Sequence, residues 1–148
     1  MRRAFTMVEL VFVIVVLGIL AGIAIPKMMA TRTDAQVAKG RSVVAGVRSG
    51  IVNERQIRLF RGDNTWAPHL DDATTAAGQT IFDGNATNPI LMYGVITSSD
   101  DGHWIKTNTD VYDFKAGGKT ARFTYYDENG SFNCVDQVGT GLCADLTK

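Results

Sequence analysis

Apolar residues are unevenly spread along this chain of 148 residues. Leu10 to Ile25 carries no charge, whereas the sequence beyond it is polar and rich in Gly, Asp, Asn and Thr. Upstream, Met1-Arg2-Arg3-Ala4 forms a short basic leader, and Phe5 to Ile25 is apolar except for Thr6 and Glu9. Pro26 and Lys27 close the run. As a helix, residues 5–25 reach about 30 Å, one hydrocarbon core. The pattern therefore predicts a membrane-spanning helix over residues 5–26.

The periodicity then changes. Val37, Val44, Val47 and Ile51 recur at helical spacing and give one apolar face. Gly40, Gly46 and Gly50 each weaken an isolated helix by about 1 kcal/mol relative to Ala, so their presence points to close packing against another element. Arg55, Arg58 and Arg61 suit the negative end of a helix dipole, and Gly62 fits a C-terminal cap. These features predict an amphipathic continuation over residues 27–61. The whole reads as one long helix from Phe5 to about Arg61, bent or locally broken near Gly22 and Pro26.

Residues 62–148 read as loops and β-strands. Ile90–Thr97 is a strand candidate, followed by a turn at Ser98-Ser99-Asp100-Asp101-Gly102. Val111–Lys115, Ala121–Tyr126 and Ser131–Val135 are the clearest strands. Phe123 and Tyr125 alternate with polar neighbours, as do Phe132 and Cys134, and Gly-containing loops lie between the strands. That is the pattern of an antiparallel meander. The expected architecture is α+β: a long N-terminal helix, membrane-spanning in its first half, with a small antiparallel sheet packed on its distal half.

Lysines and arginines number 15, as do aspartates and glutamates, so formal net charge is zero. This gives no electrostatic reason to expect a nucleic-acid partner. Motifs that cradle phosphate are absent. His69 and His103 are isolated and make no zinc site with two cysteines. Asp100, Asp101, Asp110, Asp113, Asp127 and Asp136 lack the spacing of a calcium loop and read as solvated turn residues. No nucleophile, base and orienting group can be assembled. The expectation is a non-enzyme without cofactor or metal.

Glu9 is the unusual residue. An acid in a membrane helix costs several kcal/mol and marks function. No Lys, Arg or His lies between residues 4 and 26 to pair with it. Cleavage between Ala4 and Phe5 would create a cation, the amine of Phe5, one helical turn from Glu9. That amine could serve the same chain or the Glu9 of a neighbouring copy.

Residues Arg3 to Pro26, with Phe5, Thr6, Glu9, Gly18 and the Ile23-Ala24-Ile25-Pro26 ending, resemble the N-terminus of type IV prepilins and type II secretion pseudopilins. The resemblance implies a pilin-like fold, cleavage and N-methylation at Phe5 by a membrane-embedded prepilin peptidase, and assembly through Glu9. It also implies delivery from the bilayer to a filament of like or related subunits by an inner-membrane platform. One position departs: Ala4 stands where the family usually has Gly, which puts efficient processing in question. The positive-inside count runs the other way, with Arg2 and Arg3 before the span and Lys27, Arg32, Lys39 and Arg41 after it. The resemblance nonetheless implies a single-pass inner-membrane protein whose residues 62–148 are periplasmic. In an exported domain, Cys134 and Cys143 suggest a disulfide; two free thiols are the alternative. The contrasting functional class is a monomeric periplasmic binding or enzymatic domain on an uncleaved anchor.

Overall fold

The computed structural model describes residues 5–85, 89–136 and 141–148. The chain forms two compact units, Met1–Asp34 and Ala35–Lys148. Helix α1 spans Met7–Phe60 and so enters both. In the first unit, the side chains from Phe5 to Ile25 are all exposed. Met7–Ile25 is long and apolar enough to cross a membrane.

The start of α1 is set by Thr6. The Glu9 amide donates to Thr6 Oγ1 (3.3 Å), while Glu9 Oε2 accepts long contacts from the Thr6 amide and hydroxyl (each 3.5 Å). This reciprocal arrangement is a capping box, which satisfies amides that a helix start leaves unpaired. The end of α1 is set by Gly62, whose φ of 81° is readily reached only without a Cβ. There the Asp63 amide donates to the Arg58 carbonyl and the Gly62 amide to that of Leu59, a Schellman closure.

The second unit is built on an antiparallel sheet of four strands: β3 (Trp104–Asn108), β4 (Val111–Ala116), β5 (Lys119–Tyr126) and β6 (Ser131–Asp136). They pair in chain order, with Tyr112 opposite Phe123 and Phe123 opposite Cys134. A two-residue pair, β1 (Thr80–Ile81) and β2 (Val95–Ile96), forms a separate small sheet. A short helix, α2 (Leu142–Thr147), packs on β5 and β6. The fold is α+β and pilin-like, with the sheet packed against the helix.

The core lies between the sheet and α1. Val44, Val47 and Ile51 are buried, as their spacing requires, and Val37 is partly buried against them. They join Trp104, Tyr112, Phe114, Phe123 and Phe132 from the sheet and Phe82 from the connector. Phe82 meets Tyr112 at 4.5 Å between centroids, and Phe123 stacks on Phe132 at 5.0 Å. Each fully buried large side chain contributes about 1.5–3 kcal/mol. The helix glycines permit the approach. A Cβ at Gly40 would stand 2.6 Å from the Phe114 ring, and one at Gly50 would collide with the Ile90 carbonyl oxygen.

Several elements differ from the sequence expectation, β1 among them, which forms inside the expected connector. Ile90–Thr97 yields only β2, because Ile90 and Leu91 are spent against Gly50 and Gly46 of α1. Strand β3 was not expected, because Lys106 occupies an inward position where the alternation calls for an apolar residue. Helix α2 is too short for a periodic signal, and its N-cap, Gly141, has no side chain to announce it.

Candidate functional site

Two regions carry chemistry beyond core packing. The first is the N-terminal end of α1. Phe5 is 75% exposed, and Glu9 is exposed with its carboxylate turned back on Thr6. The T-x-x-E signature of this capping box was readable in the sequence. The cap orients Glu9 toward the start of the helix, where the helix dipole favours negative charge. A carboxylate there can accept an amine. Ala4 lies outside the described residues, and Pro26 lies within α1. Gly22 is helical, and a Cβ added there would meet nothing within 4 Å. Among the described residues nothing covers the apolar surface of Met7–Ile25, and an exposed patch of that kind calls for lipid or protein.

The second region is the connector between α1 and β3. Asp71 is buried and takes four donors: Lys106 Nζ (2.7 Å), the Tyr112 hydroxyl (2.7 Å) and the amides of Ala73 (3.1 Å) and Phe82 (3.2 Å). Burial pushes the Tyr112 hydroxyl well above its ordinary value, and the Asp71 carboxylate adds to the shift. Nearby, Asp110 accepts from the Leu70 amide and pairs with His69 at 2.7 Å. The Tyr125 hydroxyl donates to the Ala67 carbonyl, and burial followed by the Asp110 charge raises it to about 12.

Arginines at seven-residue spacing on α1 fasten the later chain. Arg41 donates to the Asp145 carbonyl of α2, Arg48 to the Phe132 carbonyl of β6, and Arg55 to the Thr65 carbonyl. Arg55 also lies over the Trp66 ring. Arg58 forms ion pairs with Glu54 and Asp63. Burial alone would lower its pKa, but these two acids raise it. Asp63 lies below the usual carboxylate range, chiefly through hydrogen bonds from Thr65. Cys134 and Cys143 are joined in a disulfide that ties β6 to α2. Among the described residues, no cluster of three His, Cys, Asp or Glu side chains converges to hold a metal.

A long helix with an uncovered apolar start, an acid at its tip and a small disulfide-bonded sheet domain defines a structural subunit of the pilin type. The family model of the prokaryotic N-terminal methylation motif matches residues 1–25. A fimbrial protein of Moraxella nonliquefaciens is 34% identical over 122 residues, covering 80% of this chain and 75% of that protein. No solved structure matches the chain. With likeness over that length, reaching well beyond the motif, the chain belongs to the type IV pilin superfamily.

Proposed function

We propose that this protein is a pilin or pseudopilin cleaved between Ala4 and Phe5, N-methylated at Phe5 and assembled into a helical filament. The observation that carries this reading is Glu9: a carboxylate at the tip of an uncovered apolar helix, without a Lys, Arg or His between residues 4 and 26. The processed Phe5 amine supplies the missing cation, from the same chain or from a neighbour. Before assembly, residues 5–26 anchor the chain in the inner membrane, with residues 62–148 in the periplasm. After assembly, the same residues form the filament's apolar core. Its partners are then other pilin subunits, the prepilin peptidase and the inner-membrane platform. The name of the Moraxella relative favours a pilus over a secretion pseudopilus.

Gly22 and Pro26 are assigned to bending or loosening of the helix during packing. Pro26 has no amide to donate to the Gly22 carbonyl, so the helix is weakest between them. The role proposed for this protein is structural rather than enzymatic.

Mass spectrometry of the mature N-terminus tests the processing step. Methylated Phe5 is expected; an intact Met1, or a cut near Ala24, sinks the reading. Glu9→Ala separates a filament subunit from an anchored monomer: assembly should be lost while the chain stays in the membrane.

A further inference from the structure

Charge is segregated along the chain although the total is zero. Residues 27–61 carry eight Lys or Arg and two Asp or Glu, whereas residues 62–148 carry five and twelve. The imbalance is sharpest in the connector: residues 62–97 hold Asp63, Asp71, Asp72 and Asp83 and no Lys or Arg. Asp71 is neutralised internally by Lys106, and Asp63 by Arg58. Asp72 and Asp83 are exposed and face a different situation.

Both line an open groove of about 560 Å³, together with Thr80, Asn85, Leu91 and Met92, and among the described residues no cationic side chain lines it. Its walls are fixed by internal bonds. The Gly84 amide donates to the Leu70 carbonyl, the Leu91 amide to the Phe82 carbonyl, and the Phe82 amide to Asp71. Phe82 itself is fully buried with a φ of 60°, a left-handed conformation that a bulky residue rarely adopts. Inserted between β1 and Asp83, it anchors one side of the groove while Asp83 stays at the surface. Met92, on the groove wall, is 86% exposed.

Two carboxylates beside an apolar rim match the two ends of a Lys or Arg side chain. The aliphatic stem packs on Met92 and Leu91 while the charged head reaches the acids. In the basic stretch of α1, Arg41, Arg48, Arg55 and Arg58 are engaged within their own chain. Arg32 and Lys39 are exposed.

We propose that the Asp72–Asp83 groove is a docking surface for the basic stretch of α1, residues 27–61, of a second copy of this chain, with Arg32 and Lys39 as the side chains received. The inference rests on the filament reading given above and adds the contact by which neighbouring subunits recognise each other outside the membrane segment. Complementary charge of this kind fixes register and speeds encounter more than it adds affinity.

The test is charge reversal in full-length chains, read as filament recovered by shearing, with the level in the membrane fraction as control. Asp72→Lys/Asp83→Lys and Arg32→Glu/Lys39→Glu should each lower filament yield about tenfold or more at unchanged membrane level. A chain carrying all four substitutions should recover most of the parental yield. If either reversal assembles like the parent, or the fourfold swap fails to recover, the groove contact is refuted while the filament reading stands. If the parent chain makes no filament, the filament reading falls and takes this inference with it.

Discussion

Asp71 shows how a single side chain can organise a connector that has little regular structure of its own. Its two oxygens take two side-chain donors and two amides, so the carboxylate is buried at little net cost and pins the connector to β3 and β4. Replacing it leaves the Lys106 ammonium buried without its counter-charge. Asp71→Asn should therefore lower stability by about 3–5 kcal/mol in denaturant unfolding of the detergent-solubilised chain. Asp71→Asn combined with Lys106→Met should regain a large part of that loss, because the stranded charge is gone. Equal stability of Asp71→Asn and the parent would contradict this account. Tyr112→Phe removes one hydrogen bond to a charged acceptor and should cost about 1.5–3 kcal/mol.

At the scale of elements, α1 is matched to its partners by what its residues lack as much as by what they carry. Gly50 admits the Ile90 backbone, which cannot yield to a side chain as another side chain could. Gly50→Ala should cost about 1–3 kcal/mol despite the better helix propensity of Ala. Gly18→Ala meets nothing within 4 Å and should leave the second unit's stability unchanged. Helix α2 is fastened three ways: by Leu142 and Leu146 in the core, by Arg41 on the Asp145 carbonyl, and by the disulfide. Closing a loop with a sequence separation of nine residues contributes about 2–3 kcal/mol. The Cys134→Ser/Cys143→Ser chain should lose about that much while the sheet still folds, with circular dichroism and a denaturation midpoint as the readout.

Across the whole molecule, the buried tyrosines couple stability to alkaline pH. Tyr112 is raised above the ordinary value of 10.0, and Tyr125 is raised to about 12. Above pH about 10 the unfolded chain releases protons that the folded chain keeps, so stability falls as pH rises. Below that pH both states hold the protons and these two groups give no slope. The denaturant midpoint should drop between pH about 9 and pH about 11, and the drop should shrink when Tyr112 and Tyr125 are both replaced by Phe. A midpoint that is flat over that interval would show that the two hydroxyls remain hydrated. The separation of a basic stretch from an acidic remainder acts at this same scale. With formal net charge zero, there is no overall repulsion to keep copies apart.

Local pattern was enough for the features governed by one periodicity. The apolar run follows from composition, and the helix face of Val44, Val47 and Ile51 and strands β4 to β6 follow from spacing, because their inward positions are apolar. Glu9 stood out in the sequence because an acid without a cation in an apolar helix has no local explanation. The long-range contacts were not legible. Lys106 reads as a surface residue until the fold brings Asp71, 35 residues away, to within 2.7 Å. Arg41, Arg48 and Arg55 read as solvated helix charges until the chain returns its carbonyls to them. The groove of Asp72 and Asp83 exists only because the connector folds back on itself beside α1. The sequence by itself determined the long apolar helix, its acidic tip and the α+β class, since each is written in residues close together in the chain. Only the tertiary structure decided which charges are buried, paired or left facing out, because burial and pairing depend on residues that are distant in sequence.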